Sequence, residues 1–279
     1  MIFNCMSNAE ICNWNKAAAK CLSSNDRYVV ERWNDFRVFR QRTADAERLT
    51  KALFPNPDRI LESGEVLPGR GNSCCLAKVK IADTTYVLKR YNRRGWVYSL
   101  RHVIRRSRAQ RTWLAAWNFL VRGFRVAEPL LCLEERSYRL LGRSYVLMEY
   151  LENTERLTTL WERLTPENKR SLVEQAASLF GRLHQSGCIH GDTNWDNILM
   201  RQDGSGFDFL LVDLDCTRIF SRVMAEKAER DIGHFLRDLD RLEPSHGELH
   251  TYFVECWRVA LGQNAATFRS KEWSKQAGA

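Results

Sequence analysis

The sequence predicts an α+β chain of two lobes, an antiparallel-sheet lobe followed by a mainly helical one. Three observations carry this. Strand-like runs crowd the first half: Leu76-Ala77-Lys78-Val79-Lys80-Ile81, Tyr86-Val87-Leu88 and Tyr145-Val146-Leu147-Met148. Helical periodicity takes over in the second half, where Leu172, Ala176, Leu179, Phe180 and Leu183 mark one apolar stripe. Three polar features fall at strand ends: Lys89, then His190-Gly191-Asp192 running to Asn197, then Asp213-Leu214-Asp215.

Taken in order, residues 1–27 are polar and non-periodic and are expected to form a poorly ordered extension. Val29, Trp33, Phe36 and Val38 alternate enough for one or two strands. Asp45 to Phe54 reads as a short helix stopped by Pro55 and Pro57. Asp83 marks the turn between the next two strands, and a basic helix is expected from about Leu100 to Val121, ending near Gly123. Strands over 130–134 and 138–150 complete a first lobe of residues 28–150. The second lobe, 151–279, opens with Thr165 as N-cap and Pro166 at the first helical position, and Gly187 stops that helix. Helices around Ala225–Leu242 and Glu248–Leu261 follow, with a frayed tail from Ser270.

At 279 residues and 44% hydrophobic, the chain is long enough for one large or two modest cores. It has no apolar run of eighteen residues, and Met1 to Glu10 lacks the features of a signal peptide. Nine cysteines without a Cys-x-x-Cys pair are expected to be reduced thiols in a cytosolic protein. Basic charge is concentrated: Lys89 to Arg125 holds eleven Lys and Arg and no acid, against a net charge of +9 for the whole chain. Trp96, Tyr98, Trp113 and Trp117 interleave with them. Such a stretch suits an anionic partner: nucleic acid, an acidic membrane surface, or a phosphorylated or carboxylated glycan. His246-Gly247-Glu248-Leu249-His250 lacks the Glu directly after the first His that a zincin helix needs, so no metal site is expected there.

The spacing Asp192-x-x-x-x-Asn197 is that of a kinase catalytic loop, with Gly191 where protein kinases carry Arg. Phosphoryl transfer needs a carboxylate near the acceptor hydroxyl, plus an amide oxygen and a second carboxylate to hold magnesium. Asp192 fits the first role, and Asn197 and Asp213 the other two. Lys89, at a strand end, fits the lysine that grips donor phosphates, and Gly69-Arg70-Gly71 the small-residue loop that covers them. Tyr145 to Leu151 reads as the strand and hinge whose backbone, near Glu149 and Leu151, meets adenine.

Lys89-Arg90-Tyr91-Asn92, Ser107-Arg108-Ala109-x-Arg111-x-Trp113, His190-Gly191-Asp192 and Val212-Asp213-Leu214-Asp215 together resemble the lipopolysaccharide core kinases. These heptose and 3-deoxy-manno-octulosonic acid (Kdo) kinases belong to the protein-kinase-like superfamily, and the resemblance runs from about Gly64 to Leu242. It implies a two-lobed kinase-like fold, ATP and Mg2+, and an anionic glycolipid acceptor rather than nucleic acid. It further implies peripheral contact with the cytoplasmic face of the inner membrane. Asp192 would be the base, Asn197 and Asp213 the metal ligands, and His190 and Asp231 supports of the catalytic loop. Arg101, Arg105 and Arg108 would meet the acceptor. One departure stands out. No acid lies between Lys89 and Glu128, and Thr112 stands where protein kinases place a helix Glu. Phosphate alone, Glu134 or Asp213 is left to hold Lys89. Two alternatives share the motifs: a small-molecule phosphotransferase, whose cationic acceptors the Arg-rich stretch would repel, and a catalytically degenerate kinase-like module that binds an anion or a membrane.

Overall fold

The computed structural model describes residues 7–54, 56–67, 73–92, 105–137, 140–203, 206–244 and 247–262. Its first lobe is a seven-stranded antiparallel sheet in the order β1-β2-β6-β7-β5-β4-β3. These strands are Tyr28–Trp33, Phe36–Gln41, Glu65–Val66, Cys74–Ile81, Thr84–Tyr91, Pro129–Ser137 and Leu140–Glu149, β1 to β7 in chain order. β4 and β5 form a hairpin, with Ile81 opposite Thr84, so Ala82-Asp83 is the turn the sequence predicts.

Alternation along the strands divides two faces. Val38, Leu88, Leu131, Leu133 and Leu147 pack on one side against α2 (Ala44–Leu53) and α3 (Pro57–Glu62). Phe39, Tyr91, Cys132 and Val146 face the other side, against Trp113 and Trp117 of α4 (Arg108–Leu120). Lys89 shares this second face with Tyr91, two residues along the same strand. Within the described residues the expected basic helix starts at its N-cap Ser107, and Trp113 and Trp117 are core residues. They do not interleave with arginines on an anion-binding surface.

The N-terminal segment departs from expectation. Instead of a poorly ordered extension, residues Asn8–Ala19 form α1, capped by a Ser7–Glu10 capping box. Ile11 and Ala18, seven residues apart, are buried, and the Cys21 carbonyl accepts from Trp113 Nε1 at 3.1 Å. The cap and that sparse apolar pair outweigh the polar composition.

The second lobe contains α5 (Leu157–Trp161), α6 (Pro166–Gln185), α7 (Ala225–Leu242) and α8 (Gly247–Ala260). Its short strands are β8 (Glu155–Arg156), β9 (Cys188–Ile189), β10 (Ile198–Asp203), β11 (Gly206–Leu211) and β12 (Arg218–Ile219). Thr165 Oγ1 caps α6 by accepting from Asn168 N at 3.3 Å. The predicted stripe on α6 is buried in the core with Phe235 and Phe253, whose rings stack at 4.9 Å. Burying each such large side chain contributes ~1.5–3 kcal/mol. The Leu211 amide donates to Arg125 O at 3.0 Å, which joins the two lobes beside the site. Among the described residues, no helix is long and apolar enough to cross a membrane.

Candidate active site

The loop that follows α6 is held almost entirely through its backbone. Gly187, at φ +83°, turns the chain into β9, which pairs with β12. The Asp231 carboxylate, rising from α7, then accepts from His190 N at 2.9 Å and Gly191 N at 2.7 Å. Gly191 sits at φ +87°, and a Cβ there would lie 2.5 Å from Cys216 O, so only glycine fits. Thr193 Oγ1 donates to the Asp231 carbonyl. Trp195 N donates to Asp238 Oδ2 at 2.9 Å and its indole to Phe235 O at 3.1 Å. α7 is therefore the bed on which the loop is laid.

Two histidines, both with assignable tautomers, complete the frame. Trp257 Nε1 donates to His184 Nδ1 at 3.0 Å, so the His184 proton lies on Nε2, which donates to Asp231 at 3.0 Å. His190 Nε2 donates to Val212 O at 3.1 Å, and its Nδ1 accepts from Asp192 N at 3.3 Å. Burial pushes the His190 pKa down, consistent with a neutral ring that spans the loop and the end of β11. Burial works to raise the Asp231 pKa, but the hydrogen bonds from His184 and from the Gly191 amide hold it below the ordinary value.

Asp192 thus projects into the cleft with its side chain 37% exposed. Asn197 Nδ2 donates to Asp192 Oδ2 at 3.1 Å and to its carbonyl at 3.0 Å, which leaves Asn197 Oδ1 as the amide atom for a cation. Val212 N donates to Asn197 O at 3.0 Å, so the residue before Asp213 is tied to the backbone of Asn197. Asp213 takes left-handed angles, φ 58° and ψ 60°. Among the described residues, no cluster of three or more His, Cys, Asp or Glu could hold a metal. Magnesium keeps most of its coordination for water and phosphate, so the oxygens of Asn197 and Asp213 fit its needs.

Lys89 Nζ donates to Asp213 Oδ1 at 2.5 Å and lies 3.7 Å from Asp215 Oδ2. Asp215 also accepts from Tyr91 OH at 2.6 Å, Thr112 Oγ1 at 2.8 Å and Arg108 Nη2 at 2.5 Å. The acid missing from the helix is therefore supplied by the segment after β11, and Thr112, at the helix position in question, supports it. Glu134 plays no part, since it is fully buried and bonded to Arg136. Burial alone would lower the Lys89 pKa and raise that of Asp215. Asp215 and Asp213 reverse the first, and Lys89, Tyr91 and Arg108 the second, so both groups are held charged.

The structure brings together Lys89, Asp192, Asn197, Asp213, His190 and Asp231. It does not bring Arg108 to an acceptor surface: its guanidinium is bound to Asp215 and lies 4.8 Å over the Tyr91 ring. Arg105 is exposed, whereas Gly69, Gly71 and Arg101 lie outside the described residues. The Glu149 amide donates to Glu128 O at 3.0 Å, so that N–H is not free for adenine. The Glu149 side chain instead borders a cavity of about 600 Å³ shared with Phe124, Val126, Leu151 and Arg201, which none of Lys89, Asp192, Asn197 or Asp213 lines. His250 bonds Asp240 at 2.9 Å, an ordinary helix contact. Sequence reasoning missed His184 and Trp257, and it singled out Tyr91 within a motif without giving it a role. His184 is one residue beyond the α6 stripe and forty-seven before Asp231, so no local spacing marks it.

Residues 62–254 match the family described as "Lipopolysaccharide kinase (Kdo/WaaP) family". A 3-deoxy-D-manno-octulosonic acid kinase of Mannheimia succiniciproducens is 28% identical over 198 residues, 67% of this chain and 79% of that protein. Another, from Xylella fastidiosa, is 32% identical over 44% of this chain and 46% of its own length. The KEOPS complex subunit Bud32 of Pyrococcus abyssi is 36% identical over 26% of this chain, and the match spans only 33% of Bud32. A solved structure, WaaP in complex with acyl carrier protein, superposes with a TM-score of 0.51 at 17% identity. It covers 76% of this chain and 96% of that one, and so shares the fold. With a protein-kinase-like fold and a family match over most of its length, the chain belongs to the lipopolysaccharide kinase (Kdo/WaaP) family, phosphotransferases that act on sugar hydroxyls.

Proposed function

We propose that this protein transfers the γ-phosphoryl group of ATP to a heptose or Kdo hydroxyl of the lipopolysaccharide inner core. It would act at the cytoplasmic face of the inner membrane as a peripheral protein. Residues 28–150 hold the nucleotide and residues 151–279 carry the catalytic loop. The observation that carries this reading is the convergence of Asp192, Asn197, Asp213 and Lys89 from three separate segments on one cleft, linked by bonds of 2.5 to 3.1 Å.

Each side chain then has a task that its surroundings prepare it for. Asp192 accepts the proton of the sugar hydroxyl, and Asn194 Nδ2, at 2.7 Å, and Asn197 hold its carboxylate in place. Lys89, kept charged by Asp215, grips donor phosphates. Asn197 Oδ1 and Asp213 would hold the magnesium ion, whose chemistry is to neutralise charge on the transferring phosphoryl group. Asp231 and His190 fix the loop so that Asp192 needs no rearrangement to act.

A phosphate-transfer assay with ATP and magnesium on defined core oligosaccharides, read by mass spectrometry, tests the proposal. A mass gain of one phosphoryl group on a heptose or Kdo residue is expected. ATP turnover with no phosphorylated sugar, or transfer only to cationic small molecules, would overturn it.

A further inference from the structure

Asp192 divides its surroundings. Its Oδ2 accepts from Asn197, on the side of the candidate metal ligands, whereas Oδ1 accepts from Asn194 Nδ2 at 2.7 Å and has His234 Nδ1 of α7 at 3.9 Å. In-line transfer places the attacking hydroxyl beside the base, on the face of the γ-phosphorus opposite the leaving oxygen. The acceptor therefore enters beside Asp192, which α7 borders at His234.

Two arginines on the exposed face of α7 have no acid partner among the described residues. Ala228, Asp231, Ile232, Phe235, Leu236 and Leu239 bury one face of the helix. Arg230, His234 and Arg237 fall at i, i+4 and i+7 on the other. Arg237 Nη2 donates to His234 Nδ1 at 2.6 Å, which draws its guanidinium to within one imidazole of the base. Most nearby arginines answer an acid: Arg241 binds Asp238, Arg108 binds Asp215 and Arg125 binds Asp208. Among the described residues, Arg230 and Arg237 bind none. Arg108, one of the three acceptor residues expected from sequence, is occupied elsewhere, and His234 brings Arg237 of α7 toward Asp192.

We infer that Arg237 and His234, with Arg230 one turn earlier, form the anion-binding half of the acceptor site. They take a carboxylate or phosphate of an acidic sugar while its hydroxyl faces Asp192. The inference rests on the sugar-kinase reading above and adds the residues that recognise the acceptor. A guanidinium suits this task because its planar fork can hold a carboxylate or phosphate with two parallel bonds.

Steady-state transfer to a Kdo methyl glycoside with a free carboxylate, and to its neutral methyl ester, tests this. In R230A/R237A the Michaelis constant for the acid should rise about tenfold or more, the effect of losing charge-assisted bonds. The constant for ATP should stay within about twofold, and the ester should be a poor acceptor for both proteins alike. An unchanged constant for the acid, an equal rise for acid and ester, or a rise for ATP instead would overturn the inference. If the wild type phosphorylates no core sugar, the sugar-kinase reading itself falls. The anion site is then judged by titrating the same glycoside against the His234 imidazole resonances. A saturable shift lost in the double variant upholds it, and no shift refutes it.

Discussion

Replacing Asp215 with Asn removes a charge at the point where Lys89, Tyr91, Arg108 and Thr112 meet. The Asp215 side chain is 9% exposed, against 43% for Asp213. Tyr91 and Thr112 can still donate to the amide oxygen of the variant, but Arg108 loses its ion partner and Lys89 keeps only Asp213. Breaking a buried ion pair costs ~3–5 kcal/mol. Because Arg108 is partly exposed and Lys89 retains one acid, about 2–3 kcal/mol is the expected loss. At ~2–4 °C per kcal/mol for a chain of this size, Tm should fall by about 5–10 °C. Asp213→Asn touches a half-exposed pair worth at most about 1 kcal/mol, so it should melt within about 4 °C of wild type. Function should separate the variants the opposite way. At a temperature where both are folded, Asp213→Asn should lose magnesium-dependent transfer, while Asp215→Asn keeps turnover and needs more ATP to reach it. Calorimetry together with ATP kinetics reads both axes. Should Asp215→Asn melt within about 2 °C of wild type, or Asp213→Asn prove the less stable of the two, Asp215 is not the acid that holds Lys89.

The remaining predictions follow from the same frame. Asp192→Ala should lower kcat by at least ~10²–10⁴-fold while leaving ATP affinity near wild type, and surviving turnover would remove it as the base. The folded-state pKa of His190 lies below its ordinary value, so its contribution to stability is complete above about pH 6.5 and is lost as pH falls toward the lowered value. Urea titrations should therefore show stability declining from pH 7 to 5, less steeply in His190→Gln, and an identical slope in both proteins would contradict the buried neutral ring. Asp215 and Asp231 also have lowered pKa values, so their contributions persist to about pH 4 and are lost only below it. Trp257→Phe keeps the aromatic contact with His184 but leaves Nδ1 without its donor, at a cost of ~1–3 kcal/mol in urea unfolding; a loss no larger than ordinary repacking would show that the hydrogen bond is not made.

Much of this site was legible because its residues stand at fixed short spacings. Asp192 and Asn197 share one loop, and Asp213 comes two residues after the strand pair that follows, so local chain geometry almost suffices to bring them together. The helix that Thr165 caps was legible for a similar reason, since its apolar stripe and its cap are written within one element. What sequence could not yield are contacts between elements. Sequence named Asp213 as one candidate partner of Lys89 but could not choose it over Glu134 or see Asp215 beside it, and the anchor of His184 is a tryptophan on α8. The basic stretch misled because charge counted along a chain says nothing of direction. Arg108 turns inward to an acid, Arg122 hydrogen-bonds the Ser186 carbonyl and Trp117 fills the core. The N-terminal helix was missed because two buried residues and one capping box lie below the threshold of any periodic signal.

The placement of the lysine's acid has a mechanical consequence. In a kinase that pairs this lysine with a helix glutamate, the helix must arrive before the lysine is in position. Here Asp215 follows Asp213 by two residues, so the segment that supplies the candidate metal ligand also positions Lys89. α4 is bound into the same knot by Thr112 and Arg108 on one side and by Trp113 on the Cys21 carbonyl on the other. A swing of that helix would break bonds to a buried carboxylate and pull on the N-terminal segment together. The lysine, the loop after β11 and the helix thus form one unit, in which the candidate phosphate-gripping group is set by the same fold that sets the candidate base.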